Sequence, residues 1–360
     1  MSQRTRQILT SGVLLAWALF LWWAERNLDA YYVRVLNTAA IYVVAAVSYT
    51  LINGIAGQFS LGPNGFMALG GYVVALLILP LAQKEMGWIL EPLAWPFNTF
   101  SLPPHLFPLA VLAGGIVAVA GGFVVGFPSL RLRGDYLAIA TFGFGEIIFV
   151  LANNLIGLTN GAMGIKGIPN YATLWWTWGW AIFTIWVVRN LAQSSFGRAM
   201  KAIREDEVAA AAMGINVFRL KLLALVVSAF FGGVAGGLLA ALISTVSPTI
   251  FTFTMTFNLL VIIVLGGLGS TTGAAVTAVL FTVLQELLRI VETPIRIGPL
   301  QLPGVSGMRM VIFSVLLVAL MLFYRRGLFG RSEFSWEWVL GKFRQRGMAS
   351  ASDQSGNLEA

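Results

Sequence analysis

The chain has 360 residues, of which 58% are hydrophobic and 11% charged, with a mean hydropathy of +0.82; soluble domains carry roughly a quarter charged residues, so a water-soluble globule is excluded. A formal charge of +8 would suit a nucleic-acid binder, but the basic residues fall in short segments between apolar stretches, where positive charge sets orientation in a membrane. Cysteine is absent, which removes disulfides, thiolate zinc sites and cysteine nucleophiles.

Apolar segments fall near residues 9–24, 33–55, 65–83, 106–128, 136–156, 173–190, 217–243, 253–268, 272–290 and 308–324. Most are long enough for a helix across roughly 30 Å of hydrocarbon, and the alternating short segments of a β-barrel are missing. The expected fold is therefore all-α, a polytopic bundle of about ten spans. The first segment follows Arg4 and Arg6 and leads into Glu25-Arg26-Asn27 with no small-residue cleavage site, so it reads as a retained helix. The third follows a glycine-broken turn and the eighth is short; as re-entrant segments they would lower the count to eight or nine. Between Lys84 and Pro108 a proline-rich stretch with Trp88 and Trp95 reads as an external loop, with His105 solvated in it. The pairs Gly121-Gly122, Gly232-Gly233 and Gly236-Gly237 mark faces where helices approach closely.

Sixteen of the 23 Lys and Arg residues lie on the side that holds residues 1–8, 129–135, 189–221 and 325–346. Cytoplasmic loops carry the excess, so both termini are expected in the cytoplasm. Residues 1–330 form one membrane domain containing a long cytoplasmic loop at 191–216. Residues 331–360 form a tail whose polar Ser, Ala and Gln content predicts disorder from about residue 347.

Two glycine-rich breaks interrupt the apolar pattern. Gly57 to Gly65 contains Gln58, Ser60, Pro63 and Asn64, and Gly266 to Gly273 contains Ser270, Thr271 and Thr272. Paired breaks of this kind point to a transport site, because a helix starting there turns its N-terminal amides toward an anionic group such as a carboxylate. Glycine serves equally well in tight cytoplasmic turns, and that reading stays open. Glu146 lies mid-span, where a carboxylate facing lipid costs about 2.5 kcal/mol or more. It is expected to line the pathway or to pair with a basic group. Glu286 and Arg289 lie three apart and read as a surface pair.

The cytoplasmic loop carries the densest charge in the chain. Glu205, Asp206 and Glu207 precede Val208, Ala209, Ala210, Ala211, Ala212, Met213 and Gly214. Acids at the start and glycine at the end describe a short helix, and its small side chains let a partner's groove come close.

Residues 208–214 resemble the coupling helix of ABC importer permeases, which reads Glu-Ala-Ala, three free positions and Gly. Ala209, Ala210 and Gly214 match, while Val208 stands in place of the glutamate and Glu207 comes one position early. The run Gly197 to Ala210, the segment Gly57-Gln58-Phe59-Ser60-Leu61-Gly62, the segment Leu130 to Thr141 and Val264-Leu265-Gly266-Gly267-Leu268-Gly269-Ser270 are similar to the permeases of branched-chain amino acid ABC importers. The likeness is nearest to the second permease of the leucine, isoleucine and valine pair.

That resemblance implies a multi-pass subunit of the bacterial cytoplasmic (inner) membrane, paired with a second related permease. Two cytoplasmic ATPases would use the ATP, and a periplasmic binding protein would deliver a branched-chain or other neutral amino acid, with urea or short amides as alternatives. The chain itself is expected to bind no cofactor or metal, and it contains no G-x-x-x-x-G-K-[ST] phosphate loop. An ion-coupled transporter would need more buried charge than Glu146. An intramembrane enzyme would need a catalytic set that the spans do not contain.

Overall fold

The structure is a computed structural model that describes residues 3–88, 91–130 and 136–292, with further short stretches between 295 and 333. The expected tenth span near 308–324 falls mostly outside the described residues, as do Arg131 to Asp135 and residues 334–360 of the tail. The described residues fall into two separable units, one holding residues 3–28 and the other residues from 29 on to 330.

The first unit contains α1 (Gln3–Asn27). Near its end the Arg26 guanidinium lies 4.2 Å from the centre of the Trp22 ring, and the Asn27 side chain donates to the Trp23 carbonyl.

The second unit is an all-α bundle. Its longer helices are α2 (Ala30–Thr50), α3 (Pro63–Ile78), α5 (Phe107–Ser129), α6 (Tyr136–Asn154), α8 (Leu174–Gln193), α11 (Val217–Ile243), α12 (Phe253–Gly266) and α13 (Thr271–Leu288). Shorter helices are α4 (Leu81–Gly87), α7 (Ile156–Thr159), α9 (Ser195–Glu205) and α10 (Glu207–Ala212). Two small antiparallel pairs accompany the helices: β1 (Ile165–Lys166) with β2 (Thr245–Val246), and β3 (Ile295–Ile297) with β4 (Leu300–Leu302).

Among the described residues of this unit, six helical stretches are long and apolar enough to cross a membrane, and a seventh if the bent pair α3–α4 is one span. Two expected spans fall short of that test. The first is α1, which carries charge at both ends. The second is α8, whose run of tryptophans favours the membrane interface over the hydrocarbon centre. The expected span 65–83 is interrupted: Leu79 is extended, Pro80 cannot continue the helix, and α4 leaves at 116° to α3.

The core is the contact of α11 with α3 and α5. Glycines create it. A Cβ on Gly233 would lie 2.5 Å from Ala118 Cβ and 2.8 Å from the Gly114 carbonyl oxygen, and one on Gly114 would lie 2.9 Å from the Gly70 carbonyl oxygen. Gly236 and Gly237 meet α3 at Met67 and Val74, while Gly122 faces Ala229. Backbone meets backbone at Gly233–Gly114, Gly114–Gly70 and Gly236–Met67, and a short side chain fills the other contacts, as small residues allow in membranes. α2 packs against α13, α11 and α8 around this core.

The segment after α4 is pinned from beneath. Lys84 is 2% exposed, and its ammonium donates to the carbonyls of Phe97 and Phe100, both at 2.8 Å. Lys84→Met removes both donors and leaves two carbonyls unpaired, a loss of about 1–3 kcal/mol that raises local opening roughly tenfold or more. Limited proteolysis between residues 88 and 103 is expected to quicken accordingly; cleavage at the original rate would mean that the clamp does not hold this segment.

Candidate functional site

The first break opens with a change of winding. α2 runs on into a π-turn over Leu51–Ile55, where the Ala56 amide reaches back to the Leu51 carbonyl and the Gln58 amide to that of Ile52. Such turns concentrate at functional sites. The chain then reverses at Gly57, whose φ of 68° lies in the left-handed region that glycine enters without strain.

Beyond Gly57, Gln58 and Ser60 turn inward, 3% and 1% exposed. The Ser60 carbonyl accepts from the Tyr49 hydroxyl and its amide donates to Asn53 Oδ1 at 3.2 Å. The amide of Leu61 donates to Thr141 Oγ1 at 2.9 Å, which anchors the break to α6. The Gln58 carboxamide and the Ser60 hydroxyl have no hydrogen-bond partner among the described residues. Buried polar atoms left unpaired are uncommon, and here they sit close together in sequence inside the bundle.

Asn64, 1% exposed, is fully engaged: its side chain donates to the Phe251 carbonyl at 3.3 Å and accepts from the Thr256 hydroxyl at 3.0 Å. Its carboxamide closes against α6 at Gly145, where a Cβ would lie 2.6 Å from Asn64 Oδ1. Glu146 follows immediately and is half-buried. Ion pairs of the described residues include Arg204–Glu205, Lys221–Glu207 and Arg289–Glu286, and Glu146 takes part in none of these.

The second break runs through Gly267 and Gly269, with φ of 106° and 97°. Ser270, fully buried, caps α13 by accepting from the Gly273 amide at 2.9 Å, and Thr271 is buried beside it. The two breaks touch: a Cβ on Gly54 would lie 2.8 Å from Gly269 Cα.

The expectation that helix N-termini aim free amides at a ligand needs correction. Pro63, at the first position of α3, has no N–H; the Asn64 amide donates to Thr256 Oγ1, and that of Gly65 to the Gly62 carbonyl. In α13 the Gly273 and Ala274 amides are both taken by Ser270. At the first break the side chains of Gln58 and Ser60 are buried without a partner among the described residues.

The charged loop folds as two helices where one was expected. Glu205 ends α9, and Asp206 caps α10 by accepting from the Val208 and Ala209 amides at 2.8 and 3.0 Å. The helix breaks at this point because a capping aspartate needs extended backbone. Glu207, in the first turn, pairs with Lys221 of α11 at 2.6 Å. Gly214 follows the last turn with φ of 81°, the C′ glycine expected from sequence. Ala210 faces inward at 4% exposure, whereas Val208 and Met213 are 75% and 83% exposed, with Ala209, Ala211 and Ala212 exposed between them.

Arg204 is not among the residues that the sequence singles out. From the end of α9 its Nη1 donates to the Gly54 carbonyl at 2.7 Å, and its Nη2 meets Glu205 at 2.8 Å. Its stem covers Gly57, where a Cβ would lie 2.8 Å from Arg204 Cβ. The legible signal is Asn53-Gly54, a polar and a small residue together in an otherwise apolar stretch.

A separate cavity of about 430 Å³ lies between α2 and α13 and is lined by Tyr31, Arg34, Thr38 and Glu286, among others. The expected Glu286–Arg289 pair is present at 3.2 Å, and Tyr31 donates to the same carboxylate.

A family model described as the permease component of branched-chain amino acid transport systems matches residues 31–325. The chain is 35% identical over 292 residues to the high-affinity branched-chain amino acid transport system permease protein LivM of Salmonella typhimurium, a match that covers 71% of this chain and 63% of that protein. It is 24% identical over 310 residues to the probable branched-chain amino acid transport permease protein LivM of Methanocaldococcus jannaschii, covering 79% of this chain and 89% of the relative. To the permease protein LivH of Escherichia coli it is 27% identical over 276 residues, 70% of this chain and 83% of LivH. The match thus spans less than two thirds of the length of the Salmonella LivM. No solved structure matches the chain significantly.

Proposed function

Because this chain belongs to the branched-chain amino acid transport permease family, we propose that it is one permease subunit of an ATP-driven importer for branched-chain or other neutral amino acids. It sits in the bacterial cytoplasmic membrane with both termini and the α9–α10 loop in the cytoplasm. A second, LivH-like permease completes the channel, two cytoplasmic ATPases use the ATP, and a periplasmic binding protein delivers the solute. The likeness to both LivM and LivH supports a pair of related permeases.

The observation that carries this reading is α10: a helix fixed by the Asp206 cap and the Glu207–Lys221 pair, yet presenting Val208, Ala209, Ala212 and Met213 outward and exposed. An apolar face held rigid and left uncovered is what a helix-in-groove partner requires. Within the bundle, the unpaired Gln58 and Ser60 side chains, with Asn64, Glu146, Ser270 and Thr271 around the two breaks, line the solute path. The uncharged donors and acceptors of Gln58, Ser60, Asn64, Ser270 and Thr271, beside the one carboxylate of Glu146, suit a zwitterion released from its binding protein. In proteoliposomes, leucine uptake against a gradient is expected only when the chain is combined with its partner permease, ATPases, binding protein and ATP. Accumulation by the chain alone would refute the importer reading.

A further inference from the structure

We propose that Arg204 is the positioning residue that transmits movement of the α9–α10 loop to both glycine breaks at once. The inference rests on the importer reading and adds to it the point of mechanical contact. Arg204 lies in the last turn of α9, shortly before the Asp206 cap and the start of α10 at Glu207, so displacement of α10 moves it directly. Its guanidinium ends inside the bundle. Nη1 donates to the Gly54 carbonyl in the π-turn at 2.7 Å, and a Cβ on Gly269 would lie 3.0 Å from that same nitrogen. Its stem lies over Gly57, which has no side chain to push it away.

One side chain thus touches the start of the first break, its reversal point and the second break. Arginine suits this role better than lysine, because its planar fork holds two directions at once, here Gly54 and Glu205. Its Nε is buried without a partner among the described residues, so the fork retains a further donor for a carbonyl that comes within reach when the loop shifts. The Gly54 carbonyl belongs to a π-turn, whose irregular winding is a natural place for a helix to yield.

The test uses the complete complex with Arg204→Lys and Arg204→Met. Both variants are expected to hold the ATPases and hydrolyse ATP as before, while leucine imported per ATP falls at least tenfold. Wild-type stoichiometry in both variants would overturn the inference, and so would a transport loss that merely parallels loss of the ATPases. Should the methionine variant fail to assemble, the lysine variant is read by spin labels at Phe59→Cys and Leu268→Cys, exposed positions of the two breaks in a chain without native cysteine. The ATP-dependent change in that label distance is expected in the Arg204 background and absent in the Arg204→Lys background; an equal change in both would also overturn the inference. If the unmodified complex holds no ATPases, the importer reading fails, and that outcome is distinguishable from failure of the Arg204 link alone.

Discussion

Gly233→Leu is expected to eliminate folded protein from the membrane. The site leaves no room: a Cβ alone would lie 2.5 Å from Ala118 Cβ, 2.8 Å from the Gly114 carbonyl oxygen and 3.1 Å from Gly115 Cα. These neighbours are backbone or alanine, so no rotamer change can clear them. Overpacking commonly costs about 1–3 kcal/mol per modest enlargement, and a leucine adds a whole branched side chain against immovable partners. The sum reaches a total stability of about 5–15 kcal/mol. Fluorescence-detected size exclusion of the tagged protein checks the result: the monodisperse peak is expected to vanish. Gly179→Leu, where a Cβ meets nothing within 4 Å, is expected to leave it unchanged. A normal peak from Gly233→Leu would show that α11, α3 and α5 do not pack as described.

Val208→Glu combined with Met213→Glu is expected to abolish ATPase capture and amino acid uptake while leaving the permease folded. Both side chains are largely exposed, at 75% and 83%, so neither supports the chain's own core. At an interface centre each would count as an anchor worth about 2 kcal/mol, and burying a carboxylate there costs more. A combined loss of about 4 kcal/mol weakens association roughly a thousandfold. Co-purification of the ATPases and leucine uptake provide the readout, with size exclusion as the folding control. Ala210→Glu is a less specific probe, since Ala210 faces into the loop and its replacement disturbs the loop itself. Retention of the ATPases by the double variant would place the docking face elsewhere.

Much of this architecture is legible in the sequence because membrane burial writes itself into composition. The first nine apolar stretches correspond to helices among the described residues, the third of them broken at Pro80, and the glycine pairs at 232–233 and 236–237 do lie where helices touch. The Gly214 terminus is legible because its signal is local and chemical. What escapes is set by neighbours distant in sequence. The amides of α3 look free in isolation, but Thr256, 192 positions away, takes one of them. Arg204 reads as one more orienting charge, and only folding brings it to Gly54, 150 positions earlier. Tryptophan in α8 blurs the distinction between interface and interior, because an indole is large and apolar yet keeps one donor.

The direct backbone contact of α3, α5 and α11 has a mechanical consequence. Where glycine meets backbone or a short side chain there are few rotamers to rearrange and little to slide, so these three helices are expected to move together as a stiff wedge. Bending is then confined to seams outside the wedge, and the two stretches rich in left-handed glycine, around Gly57 and at Gly267 and Gly269, supply hinges at either flank.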